Sequence, residues 1–124
     1  ASMRLRGHRC FNRLHRIGRR HHGAWMVLRA MPEEPRLLRP ELRRHPTRCC
    51  RCALVISSKV SKRAVRRNRL RRLLHQHLRQ QLEHRGDLAG RWVLISLRPE
   101  ASEAEPSQLL EECDSLLSSA GLGQ

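Results

Sequence analysis

Residues 57–82 read SSKVSKRAVRRNRLRRLLHQHLRQQL, and from Lys59 onward this stretch holds nine Lys or Arg and neither Asp nor Glu. At about 100° per residue, Leu70, Leu73, Leu74 and Leu78 fall within an arc of about 140°, with Arg69, Arg72, Gln76 and Arg79 on the opposite side. The pattern predicts a helix over roughly 61–84, apolar on one face and basic on the other. Solvated surface helices mix signs in i,i+4 pairs. Through Leu82 this one has no acid to pair with, so its charged face calls for a polyanion, and a nucleic acid is the expected partner.

The flanks set the fold class. Residues 52–57 (CALVIS) form a short apolar, partly β-branched run that suits a strand buried on both faces. Residues 91–98 (RWVLISLR) form another, ended by Pro99, with Gly86 and Gly90 bracketing a turn before it. A strand–helix–strand unit implies a parallel pair within a small sheet. Upstream, Cys10, Phe11, Leu14 and Ile17 have helical spacing, with Gly18 as a C-cap. Residues 24–31 (AWMVLRAM) suit a further buried strand. Residues 32 to about 51 read as a proline-rich loop. Within it, 32–47 alone contains four prolines and three glutamates, and the length is unusual for a compact domain. An acidic linker over 100–105 leads to a last, acidic helix near 106–120. There Pro106 suits the first turn, Leu109, Leu110, Cys113, Leu116 and Leu117 share a face, and Gly121 ends it. The expected order is helix, strand, loop, strand, helix, strand, helix. It forms one α/β or α+β domain over residues 1–124.

Composition narrows the function. A chain of 124 residues can bury one modest core. Nothing in it approaches the roughly 20 apolar residues that span a bilayer, and residues 3–7 are basic rather than signal-like. The expectation is a cytoplasmic protein with no membrane partner. Net charge is +15, unevenly spread. Residues 1–98 hold all 26 Lys and Arg with five acids, while residues 99–124 hold six acids and no Lys or Arg. This asymmetry suggests a basic binding body and an acidic end turned away. Only Lys59 and Lys62 are lysines, and the rest are arginines, whose planar fork matches phosphate bidentately. Aromatics are limited to Phe11, Trp25 and Trp92. Base stacking has few platforms here, so backbone charge must supply most of the affinity.

Other chemistries find little support. Five cysteines do not suggest a disulfide framework in a cytosolic chain. Cys49, Cys50 and Cys52, with His45 as a fourth ligand, invite a zinc reading. The spacing is wrong for the C-x2-4-C pairs of structural sites, and small buried thiols are the simpler account. His8, His15, His21 and His22 have no evident carboxylate or nucleophile partner. No catalytic residue and no protein-held metal are expected.

Residues 59–79, KVSKRAVRRNRLRRLLHQHLR, resemble the signature of the bacterial ribonuclease P protein subunit family. Lys59 follows a buried strand. Ala64-Val65, Arg67-Asn68-Arg69, Leu70, Arg71-Arg72 and Leu73-Leu74 follow in the family's order. Arg4-Leu5, Phe11, Leu14 and Gly18 match the spacing before the first strand, and Arg98-Pro99 matches the end of the last one. The likeness covers nearly the whole chain apart from the loop and the extreme termini.

The resemblance implies a small two-layer α/β (α+β) sandwich, with a mixed sheet, three helices and a left-handed β-α-β crossover. That hand runs against the general preference. It implies a protein that binds a large catalytic RNA and assists in removing the 5′ leader from precursor tRNA. Mg²⁺ would act at the RNA–substrate site and not on protein side chains. The implied RNA-facing set is Lys59, Lys62, Arg63, Arg67, Asn68, Arg69, Arg71 and Arg72. The implied leader cleft includes Phe11, His15 and Arg29, although Phe11 also reads as an ordinary core residue. The chain departs from the family pattern at His15 and Arg29, where aromatics are common, at Ser58 and at His75. These departures imply weaker base stacking and more reliance on charge. On composition alone, a ribosomal RNA-binding protein fits equally well. A helix-based DNA binder fits poorly, since no short turn and partner helix precede the basic helix.

Overall fold

The run Arg91–Leu97 becomes β4, a strand paired on both sides in a computed structural model that describes residues 3–38, 40–43 and 49–123, with backbone alone for 42 and 43. Strand β2 (Met26–Pro32) lies antiparallel to β4, and β3 (Arg51–Val55) lies parallel to it. A fourth strand, β1 (Arg19–His22), pairs antiparallel with β2, giving the order β1-β2-β4-β3. The parallel pair is the one expected from the strand–helix–strand unit. Strand β1 was not expected. Its sequence, Arg-Arg-His-His, carries no apolar alternation, and backbone pairing with β2 is what makes it a strand.

Four residues of β4 in a row, Trp92 to Ile95, are fully buried, because both faces of the sheet are covered. Alternate residues point to opposite faces. Trp92 and Leu94 pack with Leu5, Cys10, Leu14, Met31 and Leu38 under helix α1 (His8–Ile17). Val93, Ile95 and Leu97 pack on the other side. There they meet Leu74, Leu78 and Leu82 of α3 (Ala64–Leu82) and Leu109, Cys113, Leu116 and Leu117 of α4 (Pro106–Ser119). Of the predicted leucine stripe on α3, Leu74 and Leu78 reach the core fully and Leu70 partly. The helix is shorter than the 61–84 expected.

Gly18 closes α1 as expected, but with φ −58° rather than a left-handed cap. Close approach is what demands glycine there. A Cβ would sit 2.5 Å from the Leu14 carbonyl oxygen and 3.1 Å from Arg29 Cβ. Gly121 does adopt the left-handed conformation, φ +77°. It directs the Leu122 N–H back to the Leu117 carbonyl at 2.8 Å, a Schellman closure of α4. At the other end of α4, the Glu105 N–H donates to Gln108 Oε1 at 2.9 Å.

The proline-rich segment is more ordered at its start than a plain loop. Pro35–Leu37 makes a turn of 3₁₀ helix and Pro40–Arg43 a single helical turn, α2. Leu38 is buried beside α1, Cys10 Sγ donates to the Leu37 carbonyl, and Arg13 Nε meets Glu34 Oε2 at 2.9 Å. His45 lies outside the described residues. The linker over 100–105 also gains structure, as 3₁₀ helix at Pro99–Glu103. The open edge of β3 is covered by residues 3–5. Cys52 N–H donates to the Met3 carbonyl at 2.6 Å, and Leu5 N–H donates to the Cys52 carbonyl at 2.8 Å. That pairing blunts a free strand edge and fixes Arg4 beside α3. Among the described residues, no helix is long and apolar enough to cross a membrane.

Candidate nucleic-acid interface

The basic surface begins before α3. Val60 is buried and its N–H donates to the Ser57 carbonyl. This anchor leaves Lys59 and Lys62 exposed on either side of it. Hydrogen bonds from Lys59 N–H to Ser57 Oγ at 3.3 Å and from Arg63 N–H to Ser61 Oγ at 3.2 Å shape the turn. On the helix, Arg69 and Arg72 are exposed, as are Gln76 and Arg79.

The central triplet divides its work. Arg67 is half-buried and donates through Nη1 to the Ser61 carbonyl at 2.8 Å. It ties the lysine-bearing turn to the first turn of the helix. Asn68 accepts from Arg71 Nη1 at 2.9 Å, which orients that guanidinium. Arg69 carries no such tether among the described contacts and points outward. Arg66, absent from the expected set, donates to the Ser102 carbonyl and joins α3 to the 3₁₀ turn after β4. The expected residues Lys59, Lys62, Arg63, Arg67, Asn68, Arg69, Arg71 and Arg72 thus form one continuous stretch. Arg67 and Asn68 are its internal braces.

A second feature lies where α1 crosses the sheet. Phe11 and His15 stack with ring centroids 6.1 Å apart and planes 17° from parallel. They line an open hollow of about 580 Å³ with Asn12, Arg16, Arg20, Val55 and Ser96. Its size falls among small-ligand sites, about 300–1,000 Å³. Arg29, expected in this cleft, is not among the lining residues. It sits directly across from Arg20 in the β1–β2 register, on the α1 face of the sheet. Arg29 Nε is buried with no hydrogen-bond partner among the described residues. Burial, and then Arg20, push its guanidinium below the usual arginine range. Like charges directly opposite on a sheet repel. Arg20 was not legible as a cleft residue, because β1 has no strand signature. Pairing with Arg29 is what brings Arg20 to this face.

The cysteines are all free and buried. Cys50 Sγ and Cys52 Sγ lie 3.8 Å apart. Their shared hydrogen bond lowers the Cys50 thiol and raises that of Cys52. Among the described residues, no group of three or more His, Cys, Asp or Glu is placed to hold a metal ion.

The fold and this surface define a small basic α+β protein with an acid-free helix and a part-aromatic hollow, features that suit a polyanion. The family model described as Ribonuclease P matches residues 1–121, and the chain belongs to that family. It is 98% identical over 124 residues to the ribonuclease P protein component of Parasynechococcus marenigrum (strain WH8102), covering 100% of this chain and 97% of that protein. It is 75% identical over 122 residues to the same component of Synechococcus sp. (strain CC9902), covering 98% and 95%. Among solved structures, the Staphylococcus aureus RNase P protein superposes with a TM-score of 0.77 at 15% identity over 100% of both chains. The Thermotoga maritima RNase P protein gives 0.70 at 21%, over 94% of this chain and 96% of that one. At such identities these two likenesses bear on the fold alone.

Proposed function

We propose that the chain is the protein subunit of a ribonucleoprotein endoribonuclease that removes the 5′ leader from precursor tRNA in the cytoplasm. Family membership carries the reading, and it displaces the ribosomal alternative that composition left open. In this reading the catalytic RNA docks on α3 and on the turn bearing Lys59 and Lys62. The single-stranded leader lies in the hollow beside Phe11 and His15. The supporting observation is the acid-free helix, with leucines toward the sheet and arginines toward solvent.

The protein's contribution is electrostatic. Two RNAs brought together repel, and a fixed array of guanidinium groups offsets that repulsion and orients their backbones. The exposed face of α3 is rich in guanidinium groups and has no carboxylate, so it repels Mg²⁺, which proteins hold through carboxylates and substrate phosphates. Any Mg²⁺ in the reaction belongs to RNA and substrate phosphates, and catalytic groups are assigned to the RNA. The test is leader cleavage by the catalytic RNA at low Mg²⁺, with and without this protein. Acceleration is expected. Equal rates would overturn the proposal.

A further inference from the structure

Between the N-terminal segment, β3 and α3 runs a trough that extends beyond the hollow given to the leader above. Three hollows share walls in sequence. Phe11 lines both the sheet hollow and a neighbouring one of about 340 Å³. Arg4 and His75 line that second hollow and a third of about 250 Å³, which also touches Arg6 and Arg79. Arg71 and His8 face the second. No Asp or Glu lines either of these two hollows among the described residues. Backbone pairing with Cys52 holds Arg4 in place, and successive turns of α3 bring Arg71, His75 and Arg79 to one side at i,i+4 spacing. Guanidinium groups converging without a carboxylate suit a phosphate, which accepts their forked donors.

We propose that Arg4, Arg71, His75 and Arg79 form a niche for a phosphodiester of an RNA strand continuing from the sheet hollow, and that seating it places a proton on His75. The inference rests on the RNA-binding reading above and adds a path and a proton to it. In the free protein, burial first, and then Arg4, Arg71 and Arg79, hold the His75 imidazole below the ordinary histidine range. These surroundings favour its neutral form. A phosphodiester is an anion throughout the working pH range, so it cannot itself titrate. Placed among these groups it favours the imidazolium and raises the midpoint of His75. The affinity gain is complete below the free-protein midpoint and is lost as pH rises through the midpoint of the complex. One proton taken up changes affinity by at most about tenfold per pH unit. The groups facing His75 are Arg4 and Arg6 of the N-terminal segment, His8 of α1, Arg71 and Arg79 of its own helix, and the buried Cys52 of β3.

The experiment follows the His75 ring by NMR through a pH titration of the full chain. It is run alone, with a single-stranded oligoribonucleotide, and with inorganic phosphate. RNA binding is measured in parallel from pH 5.5 to 8 for wild type, His75→Gln and His75→Arg. The expected result is an upward move of the His75 midpoint with RNA. The binding curve of wild type should be steeper with pH than that of H75Q, with H75R tight and flatter. His8 and the exposed histidines remain in all three proteins, so the difference between curves isolates His75. RNA that binds without moving the His75 midpoint, or equal slopes for wild type and H75Q, would overturn the niche and leave RNA binding intact. A midpoint moved by inorganic phosphate but not by RNA would make this a small-anion site and overturn the strand path. Absence of RNA binding at every pH would instead overturn the function proposed above.

Discussion

Glu112 accepts from the Trp25 N–H at 3.0 Å and from the Met26 N–H at 3.1 Å, both through Oε1. One carboxylate of α4 therefore closes the turn between β1 and β2. Gly23 is required by the same clamp, since a Cβ there would lie 1.7 Å from Glu112 Oε1. Glu112→Ala leaves two part-buried donors unpaired and should cost about 2 kcal/mol, read as a lower urea midpoint. Glu112→Gln keeps an acceptor and should lose less than half of that. Equal midpoints for all three proteins would deny the clamp. The sequence showed Glu112 as an acid early in the last helix, within a tail expected to turn away from the ligand. Its structural use is invisible there, because the partner is a backbone in a hairpin 86 residues upstream. The thiols were read correctly as small and buried, and burial pushes Cys113 up to about 12. At pH 8 a disulfide reagent should find native thiols slow, and then all five on denaturation. Fast reaction of the folded protein would contradict the packing.

At the level of the element, α3 is a wall of the core and, in the proposed function, the RNA interface, and substitutions should separate the two roles. Arg69→Ala and Arg72→Ala remove exposed charges and leave the core alone. Each should weaken RNA binding and lower the slope of log affinity against log salt by about one. Stability should change by no more than about 0.5 kcal/mol. Arg67→Ala should weaken binding and also loosen the turn bearing Lys59 and Lys62, because its bond to the Ser61 carbonyl is lost. An unchanged salt slope for R69A and R72A would place the RNA elsewhere. Leu78→Ala should do the reverse, costing about 2–5 kcal/mol of stability with little effect on the salt slope. This two-faced character was legible because helical period and charge coincide over five turns. The ends were not, since Lys62 and Arg63 are basic like the helix but belong to the turn. Strand β1 was illegible for the opposite reason. An edge strand of Arg and His is defined by its neighbour, and no local preference announces it. With β1 unseen, Arg20 could not be placed in the hollow beside Phe11 and His15.

Across the whole molecule, the charge that equips the surface also strains the fold. Residues 1–98 carry all 26 Lys and Arg against five acids. Ion pairs among the described residues join Arg13 and Arg36 to Glu34 and Arg85 to Asp87, few against so large a surplus of arginine. Two of the tail acids are engaged internally, Glu112 with the hairpin and Asp114 with His77 at 2.7 Å. The tail thus meets α3 at His77, but among the described residues no tail carboxylate pairs with an arginine of that helix. Self-repulsion of this kind destabilises the compact state. Salt should accordingly act with opposite signs on the two equilibria. Raising NaCl from about 20 to about 300 mM shortens the screening length from roughly 20 to roughly 6 Å. The urea midpoint of the free protein should rise, because like charges on one face no longer feel each other. RNA affinity should fall over the same range, because released counterions are driven back onto the RNA. At low salt, RNA should itself raise the unfolding temperature by binding only the folded state, and added salt should erase that gain. If instead the free protein were weakened by salt, its own ion pairs would outweigh the surplus. The arginine face would then be neutralised from within and could not supply the field that RNA binding requires.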